Sequence, residues 1–333
     1  MAGGIEVKTT PVEELFTVVN ETATLLQEEL NCSYLEALAE TGENLFQQGV
    51  IQDELSELSA KRLKRAYENI NLSRFTKEEI RKSFQLAILK GMKESVQPNH
   101  QMTPDTIGML IGYLLKKFVK NNTYRLLDPA VGTGNLLTAA INQDLDKTVE
   151  GIGIEIDDLL IKLAYINANL QEQPIQFFNQ DSLEPLFIEP VDAVISDLPV
   201  GYYPNDVRAA DYQLKADEGH SYAHHLFVEQ SIQHVKSGGY LFFVIPNGLF
   251  ESEQSKKLHE YLKETVHIQG IVQLPETMFK NKQTQKSILI LQKKHENVQS
   301  PKQVLLVNMP SLSNASEVEK ILLNIDHWIS ENK

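Results

Sequence analysis

Cysteine is nearly absent from this chain of 333 residues, with Cys32 standing alone. An internal disulfide and a multi-cysteine zinc site are thereby excluded. Long apolar runs are missing too: none approaches the roughly 20 residues that cross a bilayer, so no membrane partner is expected. The opening MAGGIEVKTTPVEELF lacks the basic-then-apolar pattern of a signal peptide. These absences predict a soluble, cytoplasmic protein. Positive charge is also short, with 31 Lys and Arg against 45 Asp and Glu and a formal charge of −14 at pH 7. Basic side chains supply most non-specific affinity for phosphate, so any nucleic-acid contact must be local. The densest basic cluster, KRLKR at 61–65, lies in helical sequence with Glu nearby and reads more simply as a solvated face than as a polyanion contact.

What is present is an ordinary apolar content of 42%, patterned in two ways. From Pro11 to about Met92 apolar residues recur at helical steps: Leu15, Phe16, Val19, Ala23, Leu26 and Leu30, then Leu35, Leu38, Leu45 and Phe46. In NLSRFTKEEIRKSFQLAILKGM, Thr76 and Glu79 form a capping-box pair at the start of another helix, and Gly91 lies near its end. Beyond QPNHQMTPDTIG, short β-rich runs alternate with helical stretches: YRLLD, GIGIE, IQFFN, DAVISD, GYLFFVIP, VHIQGIVQL and QKSILILQKK. Such alternation predicts a largely parallel sheet with helices on both faces. The last two runs are joined only by PETMFKNKQT and should pair antiparallel at or near one edge. A closing helix is expected within PSLSNASEVEKILLNIDHWISENK. The expected division is a helical region over 1–98 and an α/β domain over 99–333.

The chemistry concentrates in RLLDPAVGTGNLLTAAI, residues 125–141. A strand ends at Asp128, Gly132 and Gly134 shape a tight turn, and a helix begins near Asn135, so free N–H groups face a closely approaching ligand. A dinucleotide fingerprint would need glycine where Leu137 stands, and a phosphate loop would need a Lys that is missing. Glu155, at the end of the next strand, is suited to gripping two ribose hydroxyls. Asp181 and Ser182 close the strand after that, within reach of an adenine amino group. Three acidic strand ends side by side favour a nucleoside-like ligand.

At these residues the chain resembles the class I S-adenosylmethionine-dependent methyltransferases, and more narrowly the adenine-N6 DNA methylases, in particular the modification subunit of type I restriction–modification systems. LLDPAVGTGNLL is similar to the family's glycine loop, QMTPDTIGMLIGYLL to the segment before it, GIEID to its ribose acid and DSL to its adenine-edge acid. HHLFVEQSIQHVKSGGYLFFVIPNGLF and IVQLPETMFKNKQTQKSILILQKK resemble the following helix and strand and the C-terminal hairpin. The resemblance, over roughly residues 100 to 295, implies a Rossmann-like, seven-stranded, mostly parallel sheet with an antiparallel C-terminal edge hairpin. It implies S-adenosyl-L-methionine as cofactor, held by Thr103, Asp128, Pro129, Ala130, Gly132, Gly134, Asn135, Leu136, Glu155, Ile156, Asp181, Ser182 and Asp197. DNA is the implied acceptor, and a separate specificity or interaction subunit could dock on the N-terminal helices.

VDAVISDLPVGYYP, residues 191–204, aligns with the Asn-Pro-Pro-aromatic signature of amino-methylating enzymes. An adenine amine is a poor nucleophile because its lone pair is delocalised; acceptors holding its two hydrogens steer that lone pair toward a methyl carbon, and an aromatic wall stacks the flipped base. Asp197 retains the acceptor, Leu198 a carbonyl and Pro199 the second proline, whereas Val200 replaces the aromatic. Tyr202 or Tyr203 could supply the missing ring. Two outcomes stay open: intact N-methyl transfer, to adenine in DNA or to RNA or a protein glutamine, and a cofactor-binding protein without DNA methylase activity that acts through partners. His224 and His225 are adjacent rather than a helical turn apart, a spacing that argues against metal ligation, and no G-x-S-x-G elbow is present.

Overall fold

The computed structural model describes residues 9–94 and 102–333. The expected 98/99 division lies outside the described residues. Four helices come first: α1 (Pro11–Leu30), α2 (Tyr34–Gln47), α3 (Glu57–Glu68) and α4 (Lys77–Glu94). Three of them start with a Ser/Thr-x-x-Glu box: Thr10 with Glu13, Ser33 with Glu36, and Thr76 with Glu79. Each box satisfies amide groups that the first turn leaves without a helical partner. The apolar stripe of α1 and α2, from Leu15 to Leu45, packs with Phe84, Ala87 and Ile88 of α4.

The α/β part follows as α5 (Asp105–Phe118), β1 (Thr123–Asp128), α6 (Asn135–Asn142), β2 (Thr148–Glu155), α7 (Asp158–Leu170), β3 (Ile175–Asn179) and β4 (Val191–Asp197). Then come a short α8 (Asp206–Ala209), α9 (Ala223–His234), β5 (Val235–Pro246), α10 (Ser255–Thr265), β6 (Val266–Gln273), β7 (Lys286–Lys293), β8 (Leu305–Asn308) and the closing α11 (Ala315–Asn332). The sheet order is β3-β2-β1-β4-β5-β7-β6-β8. All pairings are parallel except those of β7, which runs antiparallel to both β5 and β6.

The expected seven strands are therefore joined by an eighth. β8 pairs parallel with β6 and takes the outer edge, so the antiparallel hairpin lies just inside it. Four residues of LLVN carry too short a pattern to distinguish a strand from a loop in sequence, and their pairing depends on a neighbour far along the chain.

Helices α5, α6 and α11 cover one face of the sheet, where Ala193, Ile195, Phe242, Val244, Ile288 and Ile290 point. Helices α9 and α10 cover the other, over Val194, Leu241, Phe243, Leu289 and Leu291. This alternation is the period-two register of strands buried on both sides. The N-terminal helices dock on α7: Leu163, Ile166 and Leu170 join their core, and Lys162 pairs with Glu40 at 2.7 Å. Among the described residues no helix is long and apolar enough to cross a membrane.

Candidate functional site

Strand order reverses between β1 and β4, and in an open α/β sheet the crevice beyond the carboxyl ends at such a point is where ligands bind. Asp128, Glu155 and Asp197 are the last residues of β1, β2 and β4. Asp181 follows the end of β3 by two residues. The sequence-predicted acids thus meet at one edge of the sheet.

The glycine loop is shaped by backbone sign. Gly132 and Gly134 have φ of 54° and 77°, in the left-handed region that side chains disfavour, and Gly134 caps α6. A Cβ at Gly132 would meet nothing within 4 Å, whereas one at Gly134 would lie 3.1 Å from the Ala164 methyl. Gly132 therefore faces open space and Gly134 abuts α7. Glu155 ties the loop to β2: its Oε2 accepts from the Gly132 amide at 3.0 Å and its Oε1 from the Ile156 and Asp157 amides at 3.0 Å each. Ile156, next to it, is 65% exposed, an apolar side chain standing at the rim. Pro129 and Ala130 form the turn out of β1, and Leu136 packs in the core beneath it. Asp128 is fully buried; burial pushes its carboxyl up to about 7, against the Ala130 amide, which donates to it at 3.1 Å.

Asp181 and Ser182 do different work. Asp181 accepts from the Leu183 amide at 2.9 Å and from the Tyr203 hydroxyl at 2.6 Å. The Ser182 hydroxyl is buried and donates to the Pro129 carbonyl. It bolts the end of β3 to the glycine loop, so the structure gives this hydroxyl a protein partner where the sequence suggested a reach toward adenine.

Asp197 holds two groups. Its Oδ2 accepts from the Thr103 hydroxyl at 3.0 Å, and the Lys286 ammonium sits 2.6 Å from its Oδ1. The register explains the second contact. Ala193 and Ile195 face the α5/α6 layer, so Asp197 does too; Ile290 and Ile288 do on β7, so Lys286 shares that face. Because β7 runs antiparallel, its first residue lies at the edge where β4 and β5 end, opposite Pro246. Sequence reasoning missed Lys286, because nothing local marks a strand-initial lysine as a partner for a residue 89 positions away.

After Asp197 the loop divides. The Leu198 side chain is buried, its amide donating to Val244 at 3.2 Å. Pro199 is half-buried, and Val200 is 59% exposed. Gly201, with φ of 142°, accepts from the Ala223 amide at 2.8 Å. This pins the loop to the start of α9. Tyr203 turns into the core toward Asp181, leaving Tyr202 as the outward ring, 63% exposed. Tyr202 stacks on Tyr222 at 5.0 Å and 13°, a partner that sequence spacing did not suggest.

His224 and His225 are buried, and burial lowers both rings to about 4, leaving them neutral near pH 7. Among the described residues no group of three or more His, Cys, Asp or Glu is placed to hold a metal ion. The basic cluster at 61–65 is balanced in part by Glu57 and Glu68, 3.7 Å from Lys61 and 3.9 Å from Lys64.

A mostly parallel sheet with β7 inserted antiparallel and a glycine loop after β1 is the methyltransferase fold. Within it, the chain belongs to the N-6 DNA methylase family, which residues 94–328 match, while residues 13–92 match the YtxK N-terminal helical domain. The chain is 51% identical to the uncharacterised protein YtxK of Bacillus subtilis (strain 168), over 97% of this chain and 98% of that one. It is similar to a solved structure from Listeria monocytogenes described as a candidate class I S-adenosylmethionine-dependent methyltransferase. That structure shows 50% identity and a TM-score of 0.90, over 96% of this chain and 99% of that one. A type I restriction–modification methyltransferase subunit from Streptococcus thermophilus shares the fold at 17% identity. Its TM-score is 0.66, over 97% of this chain and 74% of that one.

Proposed function

We propose that this protein is an S-adenosylmethionine-dependent N-methyltransferase whose acceptor is the amino group of adenine in DNA. The observation that carries the reading is Asp197 at the end of β4, in the same crevice as the glycine loop and joined by hydrogen bond to Thr103 beside that loop. The residues fit the cofactor: Gly132 faces open space, Glu155 lies against the loop amides, and Ile156 offers an apolar rim. Thr103, Asp128, Gly132, Gly134, Asn135, Glu155 and Asp181 would hold it, with Ser182, Pro129, Ala130 and Leu136 shaping the turn. When bound, S-adenosylmethionine supplies an electrophilic methyl group.

Asp197 and the Leu198 carbonyl would accept the two hydrogens of the target amine, keeping its lone pair directed rather than delocalised. The amine must first displace or share the Lys286 ammonium at Oδ1. Tyr202, backed by Tyr222, would offer the ring on which a flipped base stacks in place of Val200. The proton of the methylated amine leaves to water. Similarity to a type I modification subunit supports DNA as substrate and a separate specificity or interaction subunit as partner, with the N-terminal helices of residues 1–98 as its docking region and 99–333 as the methyltransferase domain. A cytoplasmic location accords with this role.

One observation favours a second reading, a cofactor-binding protein that acts through partners without methylating DNA: the Lys286 ammonium already pairs with the acceptor carboxylate of Asp197. RNA or a protein glutamine would present a comparable amine. Calorimetric titration with S-adenosylmethionine tests the shared premise, and absence of binding overturns both readings. Transfer of a tritiated methyl group to adenine-containing DNA, lost in Asp197→Ala, supports the first; binding without transfer supports the second.

A further inference from the structure

The N-terminal helices do more than pack on α7. Arg81 of α4 is fully buried, yet it reaches across into the α/β part. Its Nε and Nη2 donate to Glu78 at 2.8 and 2.6 Å, and its Nη1 donates to Asn135 Oδ1 at 2.7 Å and lies 2.5 Å from Asp105 Oδ1. Asn135 is the first residue of α6, at the end of the glycine loop, and Asp105 is the first residue of α5. The Asn135 Nδ2 donates in turn to the Thr103 carbonyl at 3.2 Å, and the Thr103 hydroxyl donates to Asp197. One unbroken chain of contacts thus runs from the helical region through the glycine loop to the acceptor carboxylate.

We propose that Arg81 is a positioning residue of the cofactor site, through which the N-terminal helices become part of the catalytic machinery. The inference rests on the cofactor reading above. A guanidinium has only donors, so the Asn135 amide must turn its oxygen toward Arg81. Its nitrogen is then committed to the Thr103 carbonyl. This fixes both the orientation of the Asn135 amide and the place of the Thr103 segment, whose hydroxyl holds Asp197. Without Arg81 the buried Asn135 oxygen loses its donor, and only the Thr103 carbonyl is left to hold the amide in place.

Stability alone does not account for the cluster. Taking the Arg81 guanidinium fully out of water is costly even beside two partly exposed carboxylates, and replacing a buried charge cluster by apolar side chains is often neutral or stabilising. What the charges provide is direction: Glu78, which also accepts from Asn142 Nδ2 at 3.1 Å, holds the fork from α4 by two hydrogen bonds, with Asp105 of α5 beside Nη1, so that one donor points at a single atom of the loop. The Lys162 to Glu40 pair is a natural contrast, since it joins α2 to α7 without touching the loop.

The test is calorimetric titration of the full chain with S-adenosylmethionine, beside thermal unfolding of each variant. Arg81→Met should weaken binding at least tenfold. Arg81→Lys keeps the cation but gathers its donors on one nitrogen, so it cannot hold Glu78 through two separate nitrogens while a third points at Asn135, and should weaken binding at least fivefold while remaining folded. Lys162→Met should bind within twofold of the wild type even if it melts earlier. Wild-type affinity in Arg81→Lys, or an equal loss in Lys162→Met, overturns the proposal. No binding by the wild type overturns the cofactor reading and this inference with it.

Discussion

The Lys286 ammonium lies 2.6 Å from Asp197 Oδ1, reaching it across the intervening strand β5. Two strand spacings are roughly 10 Å, a span that a lysine side chain and a strand-end carboxylate can close together. The pairing neutralises a carboxylate held among other acids, and it places a cation where an acceptor amine would sit.

Lys286→Met is therefore predicted to open Asp197 to an incoming amine. Methyl transfer to an adenine-containing duplex should rise about tenfold over wild type, and Asp197→Ala should cost on the order of 100-fold, the effect of a mispositioned acceptor. Rates from tritiated methyl incorporation decide it; an unchanged rate in Lys286→Met means that the ammonium does not block the acceptor, and a lower one that it assists the reaction.

Val200 stands where the related signature has a ring, and it is exposed, so enlarging it disturbs no core. Val200→Phe should tighten binding of adenine-containing single strands by about 1 to 3 kcal/mol, the range of one base–aromatic stack. Fluorescence anisotropy against an abasic control measures the gain, which should disappear when the target adenine is missing.

The two loop glycines should respond differently to alanine. Gly134→Ala combines a left-handed φ with a methyl 3.1 Å from Ala164, so both stability and cofactor binding should fall. Gly132→Ala meets no protein atom within 4 Å, so its stability loss should stay near the backbone cost of about 1 to 2 kcal/mol. Its Cβ would enter the open crevice, and cofactor affinity should drop by more than that. Urea unfolding and calorimetric titration separate the two effects.

Asp128 makes folding pH-dependent. Burial raises its carboxyl from 3.8 to about 7, so the folded state favours the protonated form. The resulting stability is fully present below pH 4 and lost as pH rises through 7, a swing on the order of 4 kcal/mol. Asp128→Asn has no such proton to lose. Its stability relative to wild type, from urea unfolding at pH 5 and pH 8, should improve toward pH 8; no change in that difference would mean that Asp128 stays ionised in the fold.

Much of this architecture is legible in local pattern. The capping pair Thr76 and Glu79, the strand ending at Asp128 and the turn at Gly132 and Gly134 are short-range features set by backbone sterics and by satisfaction of free amides, and they occur where those signals stand. The antiparallel pairing of β6 with β7 was equally readable, because a connection too short for a crossover helix permits little else. Strand β8 was not, nor was the insertion of β7 between β5 and β6, since both depend on pairings whose partners are distant in sequence. Tyr202 and Tyr203 could not be told apart either: one faces out against Tyr222 and the other turns in to Asp181, a choice made by the bridge that pins this loop to residues before α9.

Residue type and spacing were enough to establish an α/β chain with helices ahead of it and acids at successive strand ends, because periodicity and turn chemistry act over a few residues at a time. What those acids touch was settled by packing. Lys286 reaches Asp197 only because β7 runs antiparallel beside β5, and Arg81 reaches Asn135 only because α4 docks against α6. Both contacts join parts of the chain that no local rule connects, through buried or half-buried charges that must find partners once water is excluded.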